Sequence, residues 1–119
     1  MDKVNLAQKF ALFNEYWQPK IVGEINEYCI KLAKLKGEFV WHQHEKEDEM
    51  FLVIRGSLLI RFRDRDVRLD EGEFLIIPHG EDHLPVAEEE VHVLLVEPGS
   101  TLNTGNIENE RTIAQLEKL

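Results

Sequence analysis

Between Ile21 and Val96 the sequence is cut into short apolar runs separated by turn residues, and this spacing constrains the fold more than any other feature. Turn signals stand at Asn26-Glu27, Lys36-Gly37, residues 45–48, Arg55-Gly56, residues 64–66, residues 70–73, Pro78-His79-Gly80 and Glu88-Glu89-Glu90. Many short strands at such spacing bury their apolar sides as a two-sheet sandwich or a closed barrel. The intervening runs predict strands over 21–25, 28–35, 39–44, 49–54, 58–63, 67–69, 74–77 and 91–96, with 74–77 buried and 83–87 leading into the acidic turn. Alternation is cleanest at the end of 58–63, where Ile60 and Phe62 point inward and Arg61 and Arg63 outward. Those arginines, with Arg65 and Arg68, are interleaved with Asp64, Asp66 and Asp70, so the pattern predicts ion pairs on a wet face and not a phosphate site.

The flanks differ in texture. Val4, Leu6, Phe10 and Phe13 suit a short N-terminal helix, which Pro19 must terminate. Tyr16 and Trp17 are expected against the barrel exterior or a subunit partner. Ile113 and Leu116 predict a second short helix over 110–119. In the run from Tyr28, the residues Tyr28, Ile30 and Leu32 alternate with Cys29, Lys31 and Ala33. Lys31, Lys34 and Lys36 then read as a solvated or edge face. The chain divides into an N-terminal helix and aromatic cover (1–20), a barrel (21–98) and a C-terminal coil with a short helix (99–119), all in one domain.

Chemistry concentrates between Gly37 and Gly56. His42 and His44 lie two apart at the end of an apolar run, so on a strand both imidazoles share a face, and Gln43 and Trp41 point away. Residues 45–48 are acidic and turn-like. A hairpin there can fold Glu49 back beside the histidines, although Glu45, Glu47 and Asp48 compete for that role. His83, just beyond the turn at Pro78-His79-Gly80, is the fourth candidate. Three imidazoles and a carboxylate suit Zn, Ni, Fe or Mn and do not suit Ca or Mg. By strand parity Phe51 and Val53 also face inward, giving an apolar lumen with a few convergent polar groups, the usual form of a small-molecule site. Parity places no serine, no lysine and no second carboxylate pair inward near these residues, and leaves Arg55 as the nearby cation. His79 is expected in solvent, and His92 as a packed or hydrogen-bonded sheet histidine.

Two motifs carry a family resemblance. Gly37, His42, His44, Glu49 and Gly56 resemble the first motif of the cupin superfamily, and Gly72, Pro78, Gly80 and His83 resemble the second. Ala87 stands where the family has a closing Asn, and Gly37 is one residue closer to His42 than usual. The resemblance implies an all-β fold, a small antiparallel jelly-roll barrel, with His42, His44, Glu49 and His83 as metal ligands, and its spacing selects Glu49 among the carboxylates. It is nearest to small single-domain cupins called mannose-6-phosphate isomerase-like, a label of fold more than of activity. Cupins of this size are commonly homodimers, and a homodimer is expected here.

A net charge of −9 makes nucleic acid or an anionic membrane an unfavourable partner and is read as solubility. MDKVNLAQKF lacks the apolar core of a signal peptide, and one cysteine, Cys29, gives no disulfide framework, so a cytoplasmic location is expected. A metal-dependent enzyme acting on a small organic molecule, of isomerase, lyase or dioxygenase type, is the leading expectation. A non-catalytic ligand-binding barrel and a barrel with a purely structural metal are the alternatives.

Overall fold

The computed structural model describes Met1–Leu119. One short helix, α1 (Leu6–Phe10), precedes seven strands: β1 (Lys20–Ile25), β2 (Tyr28–Glu38), β3 (Glu49–Arg55), β4 (Leu58–Phe62), β5 (Asp66–Leu69), β6 (Phe74–Ile77) and β7 (His83–Pro98). Every strand pairing is antiparallel. No helix is long and apolar enough to cross a membrane.

β7 organises the barrel. Its C-terminal half lies between β2 and β3, within the order β1-β2-β7-β3-β6, and its N-terminal half pairs with β4, which pairs with β5. One strand therefore serves both layers, and Glu88-Glu89-Glu90 forms no turn. The pairs Leu35↔Val91 and Gly37↔Ala87 leave one residue of β2, Lys36, facing three of β7, and this bulge lets β7 bend from one layer into the other. The three glutamates are exposed at the bend.

Between the layers lie Ala33, Leu35, Phe51, Val53, Leu58, Ile60, Phe62, Leu69, Ile77, Ala87, Val91, Val93 and Leu95, a core with contributions from six strands. Phe51 and Val53 face inward as alternation requires, and so do Ile60 and Phe62. β6 is only half a core strand. Ile77 is buried, whereas Phe74 and Ile76 remain 58% and 57% exposed, because β6 is an edge strand with its outer face open.

In β2 the lysines depart from expectation. Lys31 and Lys34 are buried, and only Lys36 is exposed. The odd-numbered face of β2 turns into the barrel, so Lys31 enters beside Ala33 and Leu35. Lys34 lies on the opposite face, under the N-terminal segment, where its Nζ donates to the Phe13 carbonyl at 2.7 Å. Phe10 and Phe13 pack on Leu32 there.

Residues 110–119 contain no helix. The tail runs alongside the start of β1 instead: Ile21 N donates to Glu117 O and Leu119 N to Ile21 O, each at 2.9 Å. An edge strand offers unpaired backbone groups, and pairing with them while Leu119 joins the Phe10–Phe13 cluster outweighs a weak local helix signal.

Candidate metal centre

His42, His44, Glu49 and His83 come together and are all buried, with one ligand atom from each lying within 4.8 Å of the others. Glu49 and His83 sit at the first positions of β3 and β7. The two other histidines are not on a strand, for residues 39–48 form a loop whose only ladder contact is the bridge His42↔His83. Reciprocal backbone bonds of 3.0 and 2.9 Å between His42 and His83 fix that bridge. The C-terminal segment clamps the same loop. Asn106 N donates to Gln43 O, and Gln43 N donates to Asn106 Oδ1, both at 2.9 Å.

Ring orientations follow from the outward nitrogens. His42 Nδ1 donates to Val40 O at 2.9 Å and His83 Nδ1 to Glu81 O at 2.8 Å, which leaves each Nε2 as a lone pair toward the cluster. Neither ring nitrogen of His44 has a hydrogen-bond partner, nor have His83 Nε2 and Glu49 Oε1, which lie 2.9 Å apart. Orphaned polar atoms at this depth are costly, and a cation shared by all four satisfies them together. The residues fit a divalent transition metal.

Electrostatics agrees. Burial, with the neighbouring His83, lowers the His42 pKa to about 4, so its imidazole is neutral and ready to ligate. Burial also opposes charge on His83 and on Glu49, yet the Glu49 carboxylate beside it raises His83, and His44 and His83 together hold Glu49 well below the usual carboxylate range. The competing carboxylates are occupied elsewhere. Asp48 pairs with the exposed His79 at 2.8 Å, Glu47 accepts from Ser100 at 3.0 Å, and Glu45 is exposed.

A cavity opens beside the cluster, bounded by His42 and Glu49 and by Trp17, Pro19, Ala33, Leu35, Phe39, Phe51, Pro85, Leu95, Glu97 and Asn103. Its enclosed volume is about 40 Å³, a narrow space that widens to roughly 440 Å³ once the open mouth is counted. Trp17 therefore lies at this mouth and not on the barrel exterior. It stacks on Phe39 at 4.7 Å, and its Nε1 donates to Lys36 O at 2.8 Å. Its φ of +61° is unusual for so bulky a residue, and a backbone bond from Trp17 N to Lys34 O holds it there.

The cavity floor corrects a second expectation. Glu97, near the end of β7, is buried and bonds Lys31 Nζ through Oε1 at 2.8 Å. Its carboxyl group also lies against that of Glu49; burial and that neighbouring charge push its pKa well above the usual range, against the pull of Lys31. An inward lysine and a second carboxylate therefore do stand beside the cluster. Arg55 does not, because a bulge between Val53 and Arg55 turns it out to the surface. Trp41 packs outside under the Arg63 guanidinium at 3.8 Å, and His92, stacked on Phe10, bonds Glu90 at 2.7 Å. The surface arginines pair with acids as expected, Arg61 with Asp66 and Arg63 with Asp82.

Two antiparallel layers around a buried three-histidine, one-glutamate cluster define a cupin barrel. The chain belongs to the cupin family: the family model described as a cupin domain (Cupin_2) matches residues 31–97. A cupin-2 domain containing protein from Shewanella frigidimarina superposes with a TM-score of 0.79 at 46% identity, over 80% of this chain and 93% of that one. Protein NMB1881 from Neisseria meningitidis gives 0.76 at 30% identity, over 82% and 100%. The uncharacterized protein YdbB of Bacillus subtilis (strain 168) is 41% identical over 63 residues, which are 52% of this chain and 56% of that relative's length.

Proposed function

We propose that the chain is a metal-dependent enzyme acting on a small organic molecule, its four ligands holding Zn, Ni, Fe or Mn. The supporting observation is the position of the cluster at the cavity wall, where His42 and Glu49 border the open space. A metal held there would keep a face toward a ligand, as catalytic sites do, and would act as a Lewis acid on a carbonyl or hydroxyl, which suits isomerase, lyase or dioxygenase chemistry. The chain's own residues shape the space: Trp17 and Phe39 narrow the mouth, Phe51 and Leu95 line the wall, and the apolar lining keeps bulk water from the cluster.

Elemental analysis of the purified protein, followed by cobalt reconstitution and titration with azide, tests this reading. Near-stoichiometric metal and an azide-sensitive cobalt spectrum are expected. A tightly held metal blind to azide would instead make it structural.

A homodimer belongs to the same proposal. The outer face of the five-strand path carries Phe74 and Ile76, then Leu52 and Met50, then Leu94 and Val96, then Leu32 and Ile30 in register. The N-terminal segment covers only the Leu32–Leu94 part. A second copy covers the rest, so Phe74→Asp should yield a monomer by analytical ultracentrifugation; a wild-type monomer at micromolar concentration would remove the dimer.

A further inference from the structure

The cavity wall contains few polar groups, and nearly all of them are occupied. Trp17 Nε1 donates to Lys36 O. Asn103 spends both ends of its amide on the tail, Nδ2 on Arg111 O and Oδ1 on Ile113 N, each at 2.8 Å. Apart from the four clustered residues, that leaves Glu97. It is 3% exposed, its Oε1 is bound to Lys31, and its Oε2 has no hydrogen-bond partner, only the Glu49 carboxyl group as a neighbour. Lys31, itself 2% exposed, fixes the carboxyl group from behind and does not line the cavity.

No arginine or lysine lines the cavity. An anionic ligand would therefore find one cation there, the metal, with the carboxyl groups of Glu49 and Glu97 beside it. A phosphate or a second carboxylate would meet no cationic side chain on the cavity lining, which disfavours sugar phosphates and dicarboxylates. A hydroxyl is different. It can donate to Glu97 or accept from it, so it satisfies Oε2 wherever the proton lies.

We infer that Glu97, held by Lys31, is a second anchor for the ligand, and that the ligand is a compact neutral molecule with a hydroxyl at Glu97 Oε2, a second oxygen directed at the metal cluster, and an apolar body against Trp17, Phe39 and Phe51. This rests on the metal-centred reading above and specifies its substrate class.

The test uses cobalt-loaded protein titrated with catechol, a neutral dihydroxy probe, and with benzoate, an anionic probe of similar size, both read from the visible spectrum. Catechol binds the wild type at least about tenfold more tightly than benzoate. The double variant Lys31→Met/Glu97→Leu, which removes the buried pair as a unit, keeps its cobalt and loses about tenfold or more in catechol affinity. Glu97→Gln, of unchanged shape and with a hydrogen-bonding group at the same place, stays within a few-fold of wild type for catechol. Equal affinities for the two probes in the wild type overturn the inference, as does an unchanged catechol affinity in the double variant. Wild-type protein that binds no cobalt overturns the metal reading first and this one with it, whereas cobalt bound without any catechol response overturns this one alone.

Discussion

Gly105 is where the C-terminal segment touches the loop bearing two of the four ligands, and replacing it with alanine should damage both stability and metal binding. A Cβ built there would lie 2.2 Å from Gln43 O, 2.9 Å from Gln43 C and 3.2 Å from His42 Cδ2. Carbon–oxygen contacts settle at roughly 3.3 Å or more, so the segments must part by about 1 Å. That movement breaks the reciprocal Asn106–Gln43 bonds, at about 1 kcal/mol each. The residue also has φ +57°, a left-handed conformation that costs a side-chain-bearing residue about 1 kcal/mol more. The sum is about 3 kcal/mol, on the order of 10 °C in melting temperature for a domain of this size. Gly37→Ala is the control, since its φ is +86° with no atom within 4 Å, so it bears only the backbone cost of about 1 kcal/mol. Differential scanning fluorimetry of the metal-free proteins and zinc competition with a chelator give the two readouts. Gly105→Ala should melt well below Gly37→Ala and hold zinc at least about tenfold more weakly, because His42 and His44 travel with Gln43. If the two variants melt together and hold zinc equally, the tail does not position the ligand loop.

Glu49→Gln should lower metal affinity by about tenfold or more, whereas Glu47→Gln, at a carboxylate bonded to Ser100, should leave it unchanged; chelator competition showing equal losses would unseat Glu49. In metal-free protein His42 has a pKa of about 4 folded against 6.5 in its unperturbed state, so as pH falls the unfolded chain takes up the proton first. The stability this group contributes is complete above about pH 6.5 and is lost toward pH 4, by about 3 kcal/mol. Urea unfolding should therefore show wild type losing about that much more than His42→Phe between pH 7 and pH 4, and parallel losses would refute it. Lys31→Met alone strands the Glu97 carboxyl group and should destabilise by about 3–5 kcal/mol, while Lys31→Met/Glu97→Leu recovers most of it. A double variant no better than the single one in urea would show that the pair is not energetically coupled.

The cluster was legible in the sequence because its clues are local. His42 and His44 lie two apart, Glu49 opens an apolar run, and His83 follows a Pro-Gly turn, so local spacing marks the region and the cupin resemblance selects Glu49 among its carboxylates, giving the four residues that the fold then gathers. His42 and His44 do share a direction, as strand parity predicts, but the element is different. His42 and His44 converge from a loop pinned by His83 and Asn106, not from a strand. Lys31 and Glu97 escaped notice for another reason. Both faces of β2 carry apolar residues, so alternation could not tell lumen from exterior, and lysine read as surface. A carboxylate 66 residues away makes burial of that lysine tolerable.

Local patterning therefore determined the strand-rich character of the chain, most of its turns and the four candidate ligands, since each depends on residues close together along the chain. Tertiary pairing decided the rest. Pairing with β1 turned the expected C-terminal helix into an extended lash, and the two-layer role of β7 turned an acidic turn into a bulge. The face that β2 shows the lumen put a lysine and a second carboxyl group beside the cluster. In each case a partner distant in sequence supplied hydrogen bonds or charge that outweighed a weak local preference.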